Sequence, residues 1–434
     1  MTRQRALSVL GLGLALSASA ALCAEDPDPD FSLEETVKAG PFHVAPFLVV
    51  KDFGYDDNVR LNSKSPISDY TLTVGPGARA VLPLGRISTL ALWDEIDYAM
   101  FARETDLNHV NNTLRAKLHT YVRDSIVFID GQHESYRERP NTEIDTRLRT
   151  TVAQGRFGIS YRPEPKTRLD AFLQRSGYDY DAGKLEVTDE AGPNAEDVFK
   201  DTGEITADTL RRTETMLGFN GRLRVRPRTS ALLDLLSGRI DFDRTEPLRD
   251  STSVSALTGL EFDPAGPIRG SLKVGYKHLS PDDDQVSGFS GLVADTAVDF
   301  RIAGRGSLKA IYQRDTGFSI LGDNLFYVQD HAGLSYEHFV NTRLSVELGR
   351  QYYEVDYPLA VTDLDTCEPD GLGGQTCSEG HRLDEVVSDT VAVRYRLGPS
   401  LKVGLAYNRW DRDSTFDLED TQRNTATALV EYTP

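Results

Sequence analysis

The chain has 434 residues, a formal net charge of -19 and a mean hydropathy of -0.39. So acidic a chain argues against a nucleic-acid partner, because phosphates are bound by clustered Lys and Arg. A soluble chain of this length usually divides into two or three domains, and one large closed sheet is the main exception.

The N-terminus has the pattern of a secretory signal peptide. Arg3 and Arg5 precede an unbroken, weakly apolar run from Ala6 to Leu22. Small residues after this run place cleavage near Ala24. We predict a signal peptide at residues 1–24 and an acidic periplasmic leader at residues 25–41. A membrane anchor and lipidation at Cys23 are the alternatives.

From Phe42 onward the chain repeats stretches of roughly 10–14 residues that alternate apolar with polar or small side chains. Leu272, Val274 and Tyr276, for example, alternate with Lys273, Gly275 and Lys277. Such alternation predicts strands with one apolar and one polar face. Ser125–Glu134 and Ser230–Phe242 are exceptions, since they are apolar on both faces in places.

The breaks between these stretches are short and long in turn. Eight short breaks and nine long breaks give about eighteen strands. Residues 42–434 are therefore predicted to be all-β, a closed antiparallel transmembrane β-barrel in the outer membrane of a Gram-negative bacterium, with short periplasmic turns and long outer loops. A β-sandwich or a propeller is the alternative, but neither predicts strict alternation of short and long breaks.

Such a barrel has a backbone diameter of about 35 Å, which leaves a polar lumen of about 15–20 Å unless loops fold in. Its acidic outer loops, such as residues 181–209, are expected to contact lipopolysaccharide phosphates through divalent cations. An acidic mouth that filters solutes is the alternative.

The polar faces of the strands predict the residues that line the lumen. Mixed charges and a few aromatic rings suit many weak contacts to a moving solute, although any water-filled barrel also needs a polar lining. The predicted lining residues are Arg79, Trp93, Glu95, Asp97, Arg115, Lys117, Tyr121, Arg156, Arg222, Arg224, Lys273, Lys277, Asp295, Asp299, Arg301, Glu347 and Arg394.

The first strand and loop carry a short family motif. Residues 53–59 read Phe-Gly-Tyr-Asp-Asp-Asn-Val, followed by Ser68-Asp69-Tyr70 and Pro76-Gly77. This resembles the start of the putative β-barrel porin 2 family. The chain ends on Tyr432-Thr433-Pro434, whereas barrels commonly end on an aromatic residue.

The resemblance implies export of exopolysaccharide or capsule across the outer membrane. It also implies a periplasmic polysaccharide-export protein as partner and polysaccharide as the transported substrate. A general diffusion porin for small solutes, or an outer-membrane enzyme or adhesin, is the alternative.

Sequence patterns of catalysis are incomplete in this chain. Residues 75–80 match the loose dinucleotide pattern GxGxxA, but they contain a Pro within a strand pattern. His133-Glu134 lacks the second His of the HExxH pattern. We therefore predict no catalytic residue, no cofactor and no metal site.

We predict that Cys367 and Cys377 form a disulfide in the penultimate outer loop, because the cell envelope is oxidising. Closing so short a loop contributes about 2–3 kcal/mol to local order. Mass mapping of protein purified from the envelope is expected to find the bonded pair. Two free thiols would rule the disulfide out.

Overall fold

The computed structural model describes residues 33, 36–62, 65–139, 147–180, 207–243, 249–263, 265–283, 286–302, 304–320, 324–369, 375–415 and 420–433. It does not describe the side chains of residues 207, 208, 361–369 and 375–379. The predicted signal peptide and most of the predicted leader lie outside the described residues.

Twenty-one strands make up nearly all of the described chain. They are β1 (Val37–Ala39), β2 (Phe42–Asp56), β3 (Asp69–Leu84), β4 (Ser88–Phe101), β5 (His109–Val122), β6 (Ser125–Glu138), β7 (Leu148–Glu164), β8 (Thr167–Tyr180), β9 (Arg212–Arg226), β10 (Thr229–Phe242), β11 (Ser251–Phe262), β12 (Ile268–Pro281), β13 (Phe289–Ile302), β14 (Gly306–Phe318), β15 (Phe326–Phe339), β16 (Leu344–Asp356), β17 (Val361–Pro369), β18 (Gln375–Gly380), β19 (Leu383–Arg396), β20 (Leu401–Ser414) and β21 (Thr421–Tyr432). Two short 3₁₀ turns lie at Thr105–Leu107 and Ala207–Leu210.

Eighteen of these strands form one closed antiparallel barrel. β2 to β16 pair each with the next, β16 pairs with β19, and β19 to β21 continue the order until β21 pairs with β2. Eight short connections alternate with nine long ones around the barrel. The predicted fold class is therefore confirmed. We call the end with the long connections the outer end.

The two faces of each strand follow the alternation in the sequence. Large apolar side chains on the outside are widely exposed, as at Leu217 (63%), Leu292 (65%) and Leu405 (67%). Their sequence neighbours point inward. A barrel in lipid needs this arrangement, because only its outer face meets hydrocarbon. Within the residues described above, no helix is both long and apolar enough to cross a membrane.

Three strands do not belong to the closed ring of eighteen. β1, at the end of the predicted leader, pairs with β2 as a hairpin. β17 and β18 form a hairpin of their own within the long connection from β16 to β19. In that hairpin Glu368 pairs with Thr376, and these residues adjoin Cys367 and Cys377. The two cysteine side chains are outside the described part, so the disulfide remains a prediction.

The junction between the first and last barrel strands is held by side chains as well as by backbone. Arg423 on β21 donates to Asp56 at the end of β2, with Nε at 2.9 Å from Oδ2. Asn424 donates its side-chain amide to Asp57 at 2.7 Å. Asn58 donates to the carbonyl of Gln422 at 3.0 Å. The family motif at residues 55–58 therefore joins the two ends of the barrel.

Glycines on the inner wall make room for aromatic rings of neighbouring strands. A Cβ on Gly218 would overlap the ring of Phe172, and one on Gly77 would overlap the ring of Phe47. Phe172 is only 5% exposed. These rings thus lie flat against the wall, where larger residues would push them into the lumen.

We expect Gly218→Val to lower the free energy of unfolding by about 1–3 kcal/mol, because the added atoms displace Phe172. The matched control is Gly155→Ala on the outer face, where a Cβ meets nothing within 4 Å. The measurement is the urea midpoint of the folded barrel in detergent. Equal midpoints for the two variants would contradict the prediction.

Candidate functional site

The inner wall of the barrel contains every residue that the sequence predicted as lumen lining. Cross-strand partners share a face, and each of these residues lies on the face opposite the exposed apolar side chains. Tyr121 and Arg301 lie beside short turns at the rim of the lumen. Whether the set contacts a transported solute remains a proposal.

Most charges on the inner wall are paired with opposite charges one or two strands away. Lys273 lies between Asp295, with Nζ at 2.7 Å from Oδ2, and Asp234, at 3.3 Å. Arg394 pairs with Glu347, with Nη2 at 2.5 Å from Oε2. Further pairs are Arg156–Asp130, Arg222–Glu261, Lys277–Asp315, Arg269–Asp299 and Lys402–Glu431. These pairs leave little net charge along this part of the wall.

Several of these partners were missed by sequence reasoning. Lys51 donates to Glu95 at 3.1 Å and to Asp97 at 2.8 Å. The register of β2 shifts between Lys51 and Gly54, where Asp52 has a φ of 56°. Such a bulge breaks the two-residue period, so alternation alone cannot assign the faces of this strand. Asp130 is the cross-strand partner of Lys117 and follows the two-residue period of β6. Alternation could therefore have placed Asp130 on the inner face, as it placed Lys117.

Aromatic rings line part of the same wall, between β2 and β8. The guanidinium of Arg115 lies 4.6 Å from the centroid of the Trp93 ring. The ring of Phe47 on β2, two strands from Trp93, lies 6.3 Å from the same centroid. Arg156 lies over both Phe128 and Phe172, at 5.0 and 5.3 Å. Cations over ring faces are mutually stabilising. The wall therefore combines charge pairs with partly covered aromatic surface.

The outer end of the lumen is narrowed by the β14–β15 hairpin. The pairing of β13 with β14 stops at Ala294 and Arg314, so Phe289–Val293 have no partner on β14. Beyond that point β14 and β15 remain paired with each other up to Phe318 and Phe326. The hairpin tip bends inward, where Phe318 lies 5.2 Å from Phe242 of β10.

Apolar contacts spread from the hairpin tip across the lumen. Ile320 packs with Leu148 of β7, Tyr180 of β8 and Leu210. Leu325 and Phe326 pack with Ile240, Phe242 and Leu279. This cluster explains the inward apolar residues at the outer end of β10, since Ile240 and Phe242 contact the hairpin. The sequence left open whether loops fold into the lumen, and in the structure this hairpin does so at the outer end.

Arg249 holds the folded hairpin against the other outer loops. It is only 6% exposed. Its guanidinium donates to the carbonyls of Thr209 at 3.0 Å, of Leu325 at 3.3 Å and of Ser319. Asn324 exchanges hydrogen bonds with the backbone of Leu359 at 3.0 and 3.3 Å. A single buried cation in the β10–β11 connection thus joins three outer loops by charge-assisted hydrogen bonds.

A second contact between outer loops depends on pH. Arg60 pairs with Glu104 and Asp106, with both N–O distances at 2.6 Å. Partial burial disfavours the charged form of Asp106, but the hydrogen bond and charge of Arg60 outweigh this and lower the pKa of that carboxyl. The Arg60–Asp106 pair is therefore present at neutral pH and is lost only as the pH falls through this lowered pKa.

Comparison with known families gives one match. The family described as Putative beta-barrel porin 2 matches residues 110–432, about three quarters of the chain. None of the curated proteins matches the sequence.

Solved barrels resemble the chain in broad architecture. OccK3 (OpdO) of Pseudomonas aeruginosa is 11% identical over 90% of this chain and 95% of its own, with a TM-score of 0.46. OpdK of the same organism is 13% identical over 90% and 98%, with a TM-score of 0.46. The alcaligin outer membrane receptor FauA from Bordetella pertussis is 10% identical over 90% and 75%, with a TM-score of 0.44.

We expect Arg249→Ala to lower the free energy that holds the hairpin in its inward position by about 2 kcal/mol or more, because three carbonyls lose a charged donor. Single-channel conductance in planar bilayers should rise while heat-modifiable migration stays normal. Arg239→Ala is the control, since Arg239 pairs with Asp241 and Asp282 on the other face of β10. An unchanged conductance in both variants would mean that the hairpin does not limit flow.

Proposed function

Since the chain belongs to the Putative beta-barrel porin 2 family, we propose that this outer-membrane porin exports exopolysaccharide or capsular polysaccharide. Its location is the outer membrane of a Gram-negative bacterium. In this proposal the barrel is a channel and not an enzyme, and a periplasmic polysaccharide-export protein delivers the polymer to the turn end.

The observation that carries the proposal is the pairing of charges on the inner wall. Lys273, Arg394 and Arg156 each have a carboxylate within 2.7 Å. Such a wall offers many hydrogen-bonding groups but little net field to attract one small ion. A polyhydroxylated polymer can exchange weak contacts along it without being trapped at one deep site.

The inward hairpin gives the channel a closed or narrow resting state. Its apolar contacts and Arg249 would have to part for a polymer to leave at the outer end. Export through such a channel calls for opening when the periplasmic partner and the polymer engage it. The membrane would otherwise leak small solutes through a wide pore.

The same hairpin favours a second candidate, a diffusion porin for small solutes. A narrowed opening of fixed size would select solutes by size and needs no partner. The two functions differ in one respect. A diffusion porin conducts without a partner, whereas an export channel stays closed alone.

Deletion of the gene is expected to abolish surface polysaccharide, measured by staining and sugar analysis of the cell surface. Normal polysaccharide in the deletion strain, with no paralogue covering for it, would put the diffusion porin ahead. Steady conductance of the purified barrel in the absence of any partner would also favour the diffusion porin.

Charge reversal on the inner wall tests the role of charge pairing. Arg222 pairs with Glu261, with Nε at 2.7 Å from Oε2. The double variant Arg222→Glu with Arg224→Glu should reduce secretion without lowering barrel abundance, because it places carboxylates next to Glu261. Adding Glu261→Arg restores an opposite pair and should recover most of the secretion. If this third change does not recover secretion, loss of charge pairing is not the cause of the reduced secretion.

A further inference from the structure

The outer face of the barrel has a pair of arginines at the outer ends of β6 and β7. Arg137 and Arg149 are direct cross-strand partners. They lie on the outside, because Leu148, the neighbour of Arg149, belongs to the inner apolar cluster. Outward-facing Val110 and Tyr98, 42% and 46% exposed, pair with each other on the adjoining strands.

Within the described part of the chain neither guanidinium forms an ion pair with a carboxylate, and the one carboxyl that the charge of Arg137 reaches, Asp106, is paired with Arg60. Arg137 donates to the carbonyls of Asp106 at 2.9 Å and Arg147 at 3.3 Å. Arg149 donates to the hydroxyl of Ser135 at 2.9 Å and to the carbonyl of Val110 at 3.4 Å. These oxygens orient the side chains but leave two like charges side by side, which is unfavourable in a sheet.

The height of this pair matches the outer membrane interface. Arg137 lies twelve residues beyond Ser125 at the turn end of β6. At about 3.3 Å per residue and a tilt of about 40°, this is about 30 Å, the thickness of a bilayer's hydrocarbon core. The exposed Tyr98 on the same face is typical of an interfacial aromatic belt.

Below the arginines and the exposed His133, the outer wall is shallow and then apolar. Gly131 and Gly155 are cross-strand partners on the outer face, and a Cβ on either would meet no atom closer than 4.0 Å. Beneath them Ile129 and Phe157, 51% and 57% exposed, also pair across the two strands. Paired cations above a shallow apolar surface fit a molecule with an anionic head and hydrocarbon chains.

We propose that Arg137 and Arg149 bind a phosphate of an outer-leaflet lipid headgroup, the phosphorylated lipid A of lipopolysaccharide. Guanidinium groups bind phosphate oxygens through paired N–H donors, and an anion between them removes their mutual repulsion. The acyl chains then lie along the outer wall over Gly131 and Gly155. The site is independent of what passes through the lumen.

Other outward arginines provide a matched control. Arg350 lies on the outer face of β16 with its side chain 69% exposed. It makes two hydrogen bonds to Asp389, at 2.7 and 2.8 Å. Because a carboxylate already occupies its donors, Arg350→Gln should leave phosphate binding unchanged.

The experiment uses the full barrel in detergent and native mass spectrometry of its complex with lipid A. The double variant Arg137→Gln with Arg149→Gln should bind lipid A at least about tenfold more weakly than the unaltered protein and Arg350→Gln. Heat-modifiable migration checks that each variant is folded. Lipid A stripped of its phosphates should bind the unaltered protein at least about tenfold more weakly.

The dephosphorylated lipid keeps the proposal testable even where the double variant does not fold, since the protein is then unaltered. Equal binding of lipid A with and without phosphates would overturn the site. Equal binding by the folded double variant would do the same. If inorganic phosphate at the same concentration as lipid A displaces it, the site binds free phosphate and the proposal of a lipid occupant is wrong.

Discussion

The structure depends on the pairing of its first barrel strand with its last. In hydrocarbon an unpaired backbone N–H or C=O costs several kcal/mol, so a sheet with open edges cannot stand in a membrane. β2 and β21 remove these edges. Arg423–Asp56 and Asn424–Asp57 reinforce the junction at its outer end, where the long connection from β2 to β3 begins.

Closure separates an inner face from an outer face, and the inner face then has to accommodate its own charges. A charge taken partly out of water is costly unless it has a partner. Lys273 is 6% exposed and contacts two carboxylates, and Arg394 contacts Glu347. The same pairing that stabilises the wall also removes a net field from the lumen. The stability of the wall and the proposed passage of a polyhydroxylated polymer therefore call for the same arrangement of paired charges.

The outer end of the barrel is held by apolar contacts, whereas the wall is held by backbone pairing and ion pairs. There the β14–β15 hairpin leaves the sheet and packs its apolar side chains against β7, β8 and β10. Apolar contacts and the buried Arg249 replace the sheet pairing that the hairpin lacks with β13. An element held mainly by side chains can separate from its neighbours without opening the barrel, because the hydrogen bonds of the ring remain intact.

The sequence by itself determined the class of fold. The two-residue period of Leu272–Lys277 assigns inner and outer faces, because successive side chains in a strand point to opposite sides. The alternation of short and long breaks determined the strand number, because antiparallel neighbours need a turn at each end. For the same reason, the inner position of residues such as Arg222 and Lys273 followed from alternation.

Only the tertiary structure decided which residues meet. Asp56 and Arg423 are 367 residues apart, and no local pattern in the sequence predicts that they meet. The bulge at Asp52 shifted the period of β2 and hid Lys51. The sequence also gave no sign that the β14–β15 hairpin turns inward. Its apolar loop residues, such as Ile320 and Leu325, follow no two-residue period that would assign them to a face. Local alternation determines faces, whereas contacts between distant strands and loops exist only once the ring has closed.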